Sequence, residues 1–229
     1  MELWTDTIEK LLESNAELIH YVQKVVGMGL IGQVKDEKLV IAYGNGRNGK
    51  STMWSAISKV LGDYSGHVSA DTLTCNCRRN VKPEMAAMEG KRLLLAAEMD
   101  DEAELSTGIV KQICSTDDIY AEKKYHDPHS FTPTHTIVLS TNTLPRVTAL
   151  NDGTWRRFEI IPYKAKIEGS SDIKNYGAYL VDNAGGAILQ WCIDGAVMYD
   201  KEGLNPLPKC VEEALEAYRA SNDWLAIFL

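Results

Sequence analysis

No run of apolar residues in this sequence approaches the roughly 18 needed to cross a bilayer as a helix, so a membrane span is not expected. Nor does the chain open like a secretory leader: MELWTDTIEKLLE is acidic and amphipathic, where a leader needs a basic start and an apolar middle. Cysteine is scarce and odd in number, five in 229 residues. That excludes an even disulfide framework and points to a reduced, cytoplasmic setting. Cys75 and Cys77 stand close together in TCNCRRN, but no second Cys or His pair follows at the spacing zinc requires. A loop carrying two thiols is expected there. Positive charge is also short. With 24 Lys and Arg against 32 Asp and Glu, the net charge of −8 excludes a uniformly basic nucleic-acid coat, though not a local basic element. Internal repeats and low-complexity linkers are absent.

What is present is enough apolar material, 45%, to bury a core, in a length that suits one large domain or a core with small flanking units. Ile8, Leu11 and Leu12, then Leu18, Ile19, Val22, Val25 and Val26, recur at helical spacing and predict two helices within residues 5–31. KLVIAYG (38–44) reads as a buried strand and KSTMWSAISKVLG (50–62) as a helix stopped by Gly62. KRLLLAAE (91–98), HTIVLSTN (135–142) and RRFEIIPY (156–163) read as further buried strands. Strands alternating with helical segments predict an α/β core with a parallel sheet. From about residue 175 the pattern turns helical again. Three units are therefore expected: a helical lead-in at 1–36, a core at 37–165, and a helical subdomain at 166–229. The last stops on the apolar DWLAIFL and is read as cut from a longer chain, with a buried C-terminal helix as the plain alternative.

Between the first strand and the helix lies YGNGRNGKST. Gly44, Gly49, Lys50 and Ser51 fit G-x-x-x-x-G-K-[ST]. In such a loop, glycines let backbone N–H groups turn toward a β-phosphate, the lysine reaches the β- and γ-phosphates, and the hydroxyl ligates Mg²⁺. The following helix aims its positive end at the same anion. A preceding buried strand and a following helix are the context this motif needs.

Three later features bear on what the phosphates are for. Glu98 ends a buried strand, where open α/β sheets bind ligands, and a carboxylate there orients Mg²⁺ or polarises water; Asp100 or Asp101 is read as sharing the task. Asn142 ends another strand; its amide suits a γ-phosphate and an attacking water, while a turn-forming Asn is the equally good plain reading. Arg156 and Arg157 in DGTWRRFEIIP are either a guanidinium supply for a γ-phosphate in trans or a surface pair at a strand edge, and spacing alone does not choose.

Read in order, YGNGRNGKST, GKRLLLAAEMDDEAEL, FTPTHTIVLSTNTLPRV and DGTWRRFEIIPY resemble motifs A, B, C and the arginine-finger segment of superfamily 3 helicases. The likeness is to the helicase part of phage and plasmid primase-helicases, related to the poxvirus primase-helicase, and covers nearly the whole chain. It implies an AAA+-like P-loop NTPase with a three-layer core and helical subdomains before and after it. It also implies a hexamer that hydrolyses ATP with Mg²⁺ between subunits and tracks on single-stranded DNA, typically 3′ to 5′. A primase region on the parent polypeptide and a bacterial host cell follow from the same likeness. Carried over by position, Gly44, Asn45, Gly46, Arg47, Asn48, Gly49, Lys50, Ser51 and Thr52 form the ATP-binding stretch. Glu98, with Asp100 beside it, becomes the metal-orienting acid alongside Ser51. Asn142 becomes the γ-phosphate sensor, and Arg157 the finger with Arg156 as alternative. The DNA-contacting hairpin falls in STDDIYAEKKYHDPHSFTPT, where Lys123, Lys124, Tyr125 and His126 form a basic and aromatic group. The family commonly has a basic residue where this chain has Glu122. Three rivals share parts of this pattern: an ATPase that remodels or packages a protein or nucleoprotein, a small-molecule kinase, and a fragment that only binds nucleotide.

Overall fold

The computed structural model describes residues 1–78, 80–97, 99, 102–148, 151–169 and 172–223. Two helices lead in, α1 (Glu2–Leu11) and α2 (Ala16–Ile31). The Asn15 side chain caps α2 by accepting from the Leu18 N–H, and Gly32 closes it in the left-handed region. Then come β1 (Leu39–Tyr43), α3 (Lys50–Leu61) and β2 (Ser65–Ser69), followed by α4 (Lys82–Ala87), β3 (Leu93–Ala97) and α5 (Thr107–Ile113). A hairpin of β4 (Ile119–Ala121) and β5 (His129–Phe131) precedes β6 (Thr136–Thr141). The chain continues through α6 (Asp152–Trp155), β7 (Phe158–Pro162), the 27-residue α7 (Tyr176–Glu202) and α8 (Lys209–Asn222).

Five strands form one parallel sheet in the order β2-β3-β6-β1-β7. Period-two alternation sends Val40 and Ala42 of β1 to one face and Leu39 and Ile41 to the other, and all four are buried. The first face joins Trp4, Val22, Trp54 and Ile188 from α1, α2, α3 and α7. The second packs on Met85, Val110, Trp155 and Tyr218 from α4, α5, α6 and α8. A sheet covered on both faces explains why its strands read as continuous apolar runs. It also means that the lead-in and trailing helices are packed on the sheet's own core.

The four predicted strands are present, each shorter by a residue or two at its ends, and the predicted helices are present too, with α1 starting earlier than expected at Glu2 and α8 described to Asn222. The hairpin β4–β5, which pairs Ile119–Phe131 and Ala121–His129 antiparallel, is the segment placed beforehand only by resemblance. The strand β2 carries no strand pattern in sequence, because SGHVS is short and polar and becomes extended only by pairing with β3. Among the described residues, no helix is long and apolar enough to cross a membrane.

Candidate functional site

In a parallel sheet the loops that follow the strands gather at one edge. The Gly44–Ser51 loop follows β1, and Asn142 follows the neighbouring β6, so residues 92 apart in sequence meet. Lys50 is 5% exposed, and its ammonium donates to the Gly44 carbonyl at 2.9 Å and to Asn142 Oδ1 at 2.5 Å. Burial pushes its pKa below the ordinary lysine range. Both acceptors are neutral, and among the described residues no carboxylate pairs with this ammonium. This is a cation held ready for an anion.

The loop is held open by its surroundings. Asn48, also buried, donates to the carbonyls of Asn45 at 2.8 Å and Tyr163 at 3.3 Å, tying the loop to the chain after β7. Gly44 passes so close that a Cβ there would stand 2.2 Å from the Tyr163 carbonyl oxygen. Gly49 has φ +75°, which disfavours a side chain, and a Cβ would also strike Leu11 at 2.3 Å. The helix α3 begins directly at Lys50 with no acidic residue in its first turn, leaving its positive end toward the loop. Ser51 is exposed at that end. Beside it lies a cavity of about 260 Å³, lined by Asp6, Lys10, Leu11, Thr52, Asp172 and Tyr176 among others. Tyr176 is fixed by a 2.9 Å hydrogen bond between its hydroxyl and that of Thr7.

Glu98 and Asp100, expected to orient a metal, lie outside the described residues. No cluster of metal-ligating side chains occurs among those that are described. Cys75 has its thiol pushed up by partial burial and by the Glu104 carboxylate, which disfavours the thiolate a metal would need.

The arginines fall at the other edge of the sheet. They precede β7, and Glu37 precedes its parallel neighbour β1; the Leu39 N–H donates to the Arg157 carbonyl at 2.7 Å. Glu37 Oε2 accepts from Arg157 Nη2 at 2.7 Å and from Arg156 Nη2 at 3.1 Å. The Arg157 side chain is 11% exposed and that of Arg156 is 66% exposed. A strand of five residues at ~3.3 Å each separates this edge from the Lys50 edge by about 15 Å. Neither arginine reaches the loop of its own chain. No local pattern reveals Glu37; the pairing spans about 120 residues and is visible only once β1 lies beside β7.

The hairpin carries the third group. Tyr125, at its turn, is 91% exposed with φ +65°, and Lys124 lies over its ring at 5.0 Å. Lys123, Lys124 and His126 are exposed too. Lys123 is drawn back at 3.4 Å toward Glu89, which also meets His129 Nε2 at 3.2 Å. Glu122, the residue out of keeping with the helicase pattern, pairs with Lys82 at 3.5 Å.

Comparison with known proteins gives relatives from large DNA viruses. A protein of Acanthamoeba polyphaga mimivirus, named a putative helicase, is 29% identical over 159 residues, 69% of this chain and 17% of its own length. One of African swine fever virus, named a putative primase, is 25% identical over 236 residues, 95% of this chain and 24% of its own length. The chain thus spans at most about a quarter of these relatives. The C-terminal region of NrS-1 shares the fold, with a TM-score of 0.72 at 14% identity, covering 97% of this chain and 52% of that one. These findings bear out the resemblance to superfamily 3 helicase domains and to viral primase-helicases. The profile of a family of unknown function, DUF5906, matches residues 42–157. That match takes in just over half of the chain, from the glycine loop to the arginine pair, and the protein belongs to that family.

Proposed function

We propose that the chain is the ATP-hydrolysing motor of a viral or phage-type replication helicase, a P-loop NTPase of the AAA+-like superfamily 3 kind, acting on single-stranded DNA as a homo-oligomeric ring, expected to be a hexamer. The observation that carries this is Lys50. It is a buried cation that meets only neutral acceptors among the described residues, at the start of a helix, between a glycine loop and the Asn142 amide, at the edge of a parallel sheet where ligands bind.

Triphosphate oxygens would take the place of the neutral acceptors now around Lys50, and loop N–H groups would turn to the β-phosphate, the Lys50 N–H leaving Asn48 Oδ1, to which it donates at 3.3 Å. The exposed Ser51 hydroxyl would hold Mg²⁺, with Glu98 and Asp100 proposed to complete the shell. Mg²⁺ held there would supply neutralisation of the charge developing on the phosphates. Asn142, released from Lys50, orients the γ-phosphate and water. The cavity beside Thr52 takes the nucleobase, with the Tyr176 ring for stacking and Asp6 and Asp172 to accept from an exocyclic amino group. The names of the viral relatives, a helicase and a primase, support a replication role and a primase region elsewhere on the parent polypeptide.

The test is ATP hydrolysis with and without single-stranded DNA. Turnover should be stimulated by DNA, and Lys50→Ala should lower it by a hundredfold or more. Turnover that ignores DNA would favour a remodelling ATPase, and turnover that survives Lys50→Ala would sink the assignment of the loop.

A further inference from the structure

Glu37 lies in the short link between α2 and β1, outside every motif discussed so far. One oxygen of its carboxylate accepts from both guanidinium groups of the arginine pair. Two adjacent guanidiniums repel each other, and a shared carboxylate between them removes most of that cost. The neighbouring residue works on the same segment. Lys38 donates to the Arg156 carbonyl at 2.8 Å and pairs with the buried Glu159 at 2.6 Å, and Glu159 in turn accepts from the Tyr21 hydroxyl at 2.7 Å. Glu37 therefore holds the arginine side chains while Lys38 holds their backbone.

The two arginines are not held equally. Arg157 is mostly covered and donates also to the Gly153 carbonyl at 2.5 Å. Removing its carboxylate would leave a half-buried charge unpaired, which is costly. Arg156 is largely in water, where an ion pair contributes little and is readily exchanged. We propose that Glu37 is the positioning residue of the inter-subunit arginine finger: it anchors Arg157 as a fixed support and aims Arg156 outward, so that Arg156 is the group handed to the γ-phosphate of the neighbouring subunit. This rests on the ring reading above, and it assigns the finger to Arg156 where the motif pattern favours Arg157. A γ-phosphate offers Arg156 more negative charge than a shared carboxylate oxygen, so the exchange runs toward the neighbour when ATP is bound. Once the phosphate leaves, Glu37 takes the guanidinium back.

The experiment uses the full chain, steady-state ATP hydrolysis and mixed subunits. Glu37→Gln should lower kcat tenfold or more with KM for ATP unchanged, since the loop lies at the opposite sheet edge. Arg156→Ala should do the same, and the double variant should be no slower than Arg156→Ala alone. Glu37→Asp, one methylene shorter, should lose only a few-fold, and it replaces the glutamine variant if thermal unfolding shows that variant to be unfolded. Mixing Glu37→Gln with Lys50→Ala subunits should restore turnover, because an intact loop then faces an intact arginine pair. Wild-type kcat in the folded Glu37 variants, or losses that multiply in the double variant, would overturn the proposal. If Arg156→Ala is rescued by Lys50→Ala and Glu37→Gln is not, the ring stands and the role of Glu37 falls. If neither mixture recovers, hydrolysis is not shared between subunits and both fall.

Discussion

His135 shows how a single buried group ties stability to pH. It enters β6 at 4% exposure and donates from Nε2 to the Ile113 carbonyl at 3.1 Å, while Nδ1 has no partner among the described residues. Burial drives its pKa down from 6.5 to about 4, so the folded chain holds it neutral. Between those values the unfolded chain binds the extra proton, and stability present above about 6.5 is lost as pH falls toward 4. From pH 7 to 5 this amounts to about 2 kcal/mol, at 1.36 kcal/mol per unit. Urea unfolding at the two pH values should show that loss in the native chain and not in His135→Gln; equal slopes would remove His135 as the cause. Residues differ in how far they could be read beforehand. Lys50 and its glycines could be singled out because the G-x-x-x-x-G-K-[ST] spacing falls between a strand and a helix that both form. Asn142 could be placed by its position at a strand end, and the contact with Lys50 supplies the geometry. Glu37 could not, since a glutamate in KDEK is an ordinary surface residue until β1 and β7 are neighbours.

At the level of elements, the hairpin is the place where local electrostatics should govern a partner. Lys124 projects over Tyr125 at the turn, whereas Lys123 is held by Glu89 together with His129. Lys124→Ala should therefore weaken binding to single-stranded DNA more than Lys123→Ala, and flatten the salt dependence by about 0.7 in log–log slope for one lost phosphate contact. Glu89→Gln should tighten binding several-fold at low salt, by releasing Lys123 and deleting a nearby negative charge. Fluorescence anisotropy with an oligonucleotide would decide it, and equal effects of the two lysines would refute the asymmetry. A second element-scale prediction concerns the crossing of α2 and α7. A Cβ at Gly27 would stand 2.0 Å from the Gly195 carbonyl carbon, so the two backbones touch. Gly27→Ala must push the helices apart and should cost ~1–3 kcal/mol, the usual range for overpacking, visible as a lower urea midpoint. The long apolar strands and amphipathic helices were legible because burial on both sheet faces leaves unbroken runs. The strand SGHVS and the three-residue hairpin strands were not, because tertiary pairing rather than propensity makes them extended.

For the whole molecule, the decisive fact is that Lys50 and the arginines occupy opposite edges of one sheet. Strand length keeps them about 15 Å apart within a chain. A complete site on the proposed reading therefore needs two chains, the loop of one against the arginine edge of the next. Head-to-tail contacts of this kind close into rings when the rotation permits. The acidic balance of −8 per chain does not by itself oppose DNA in such an assembly, since charges more than about 8–10 Å away are largely screened while Lys124 stands exposed at each hairpin tip. The rate per subunit should then climb steeply with protein concentration, because dilution separates the two halves of every site. Single-stranded DNA should shift that curve to lower concentration, by binding several hairpins at once and so favouring the assembled state. Raising salt should reverse the shift by screening the hairpin lysines, without abolishing the dependence on concentration itself. Turnover is to be followed across two or more decades of protein concentration at low and moderate salt, beside a direct measure of mass in solution. A rate per subunit that stays flat while the chain remains monomeric would mean that one chain contains a whole site, and the inter-subunit role of the arginine pair would have to be abandoned.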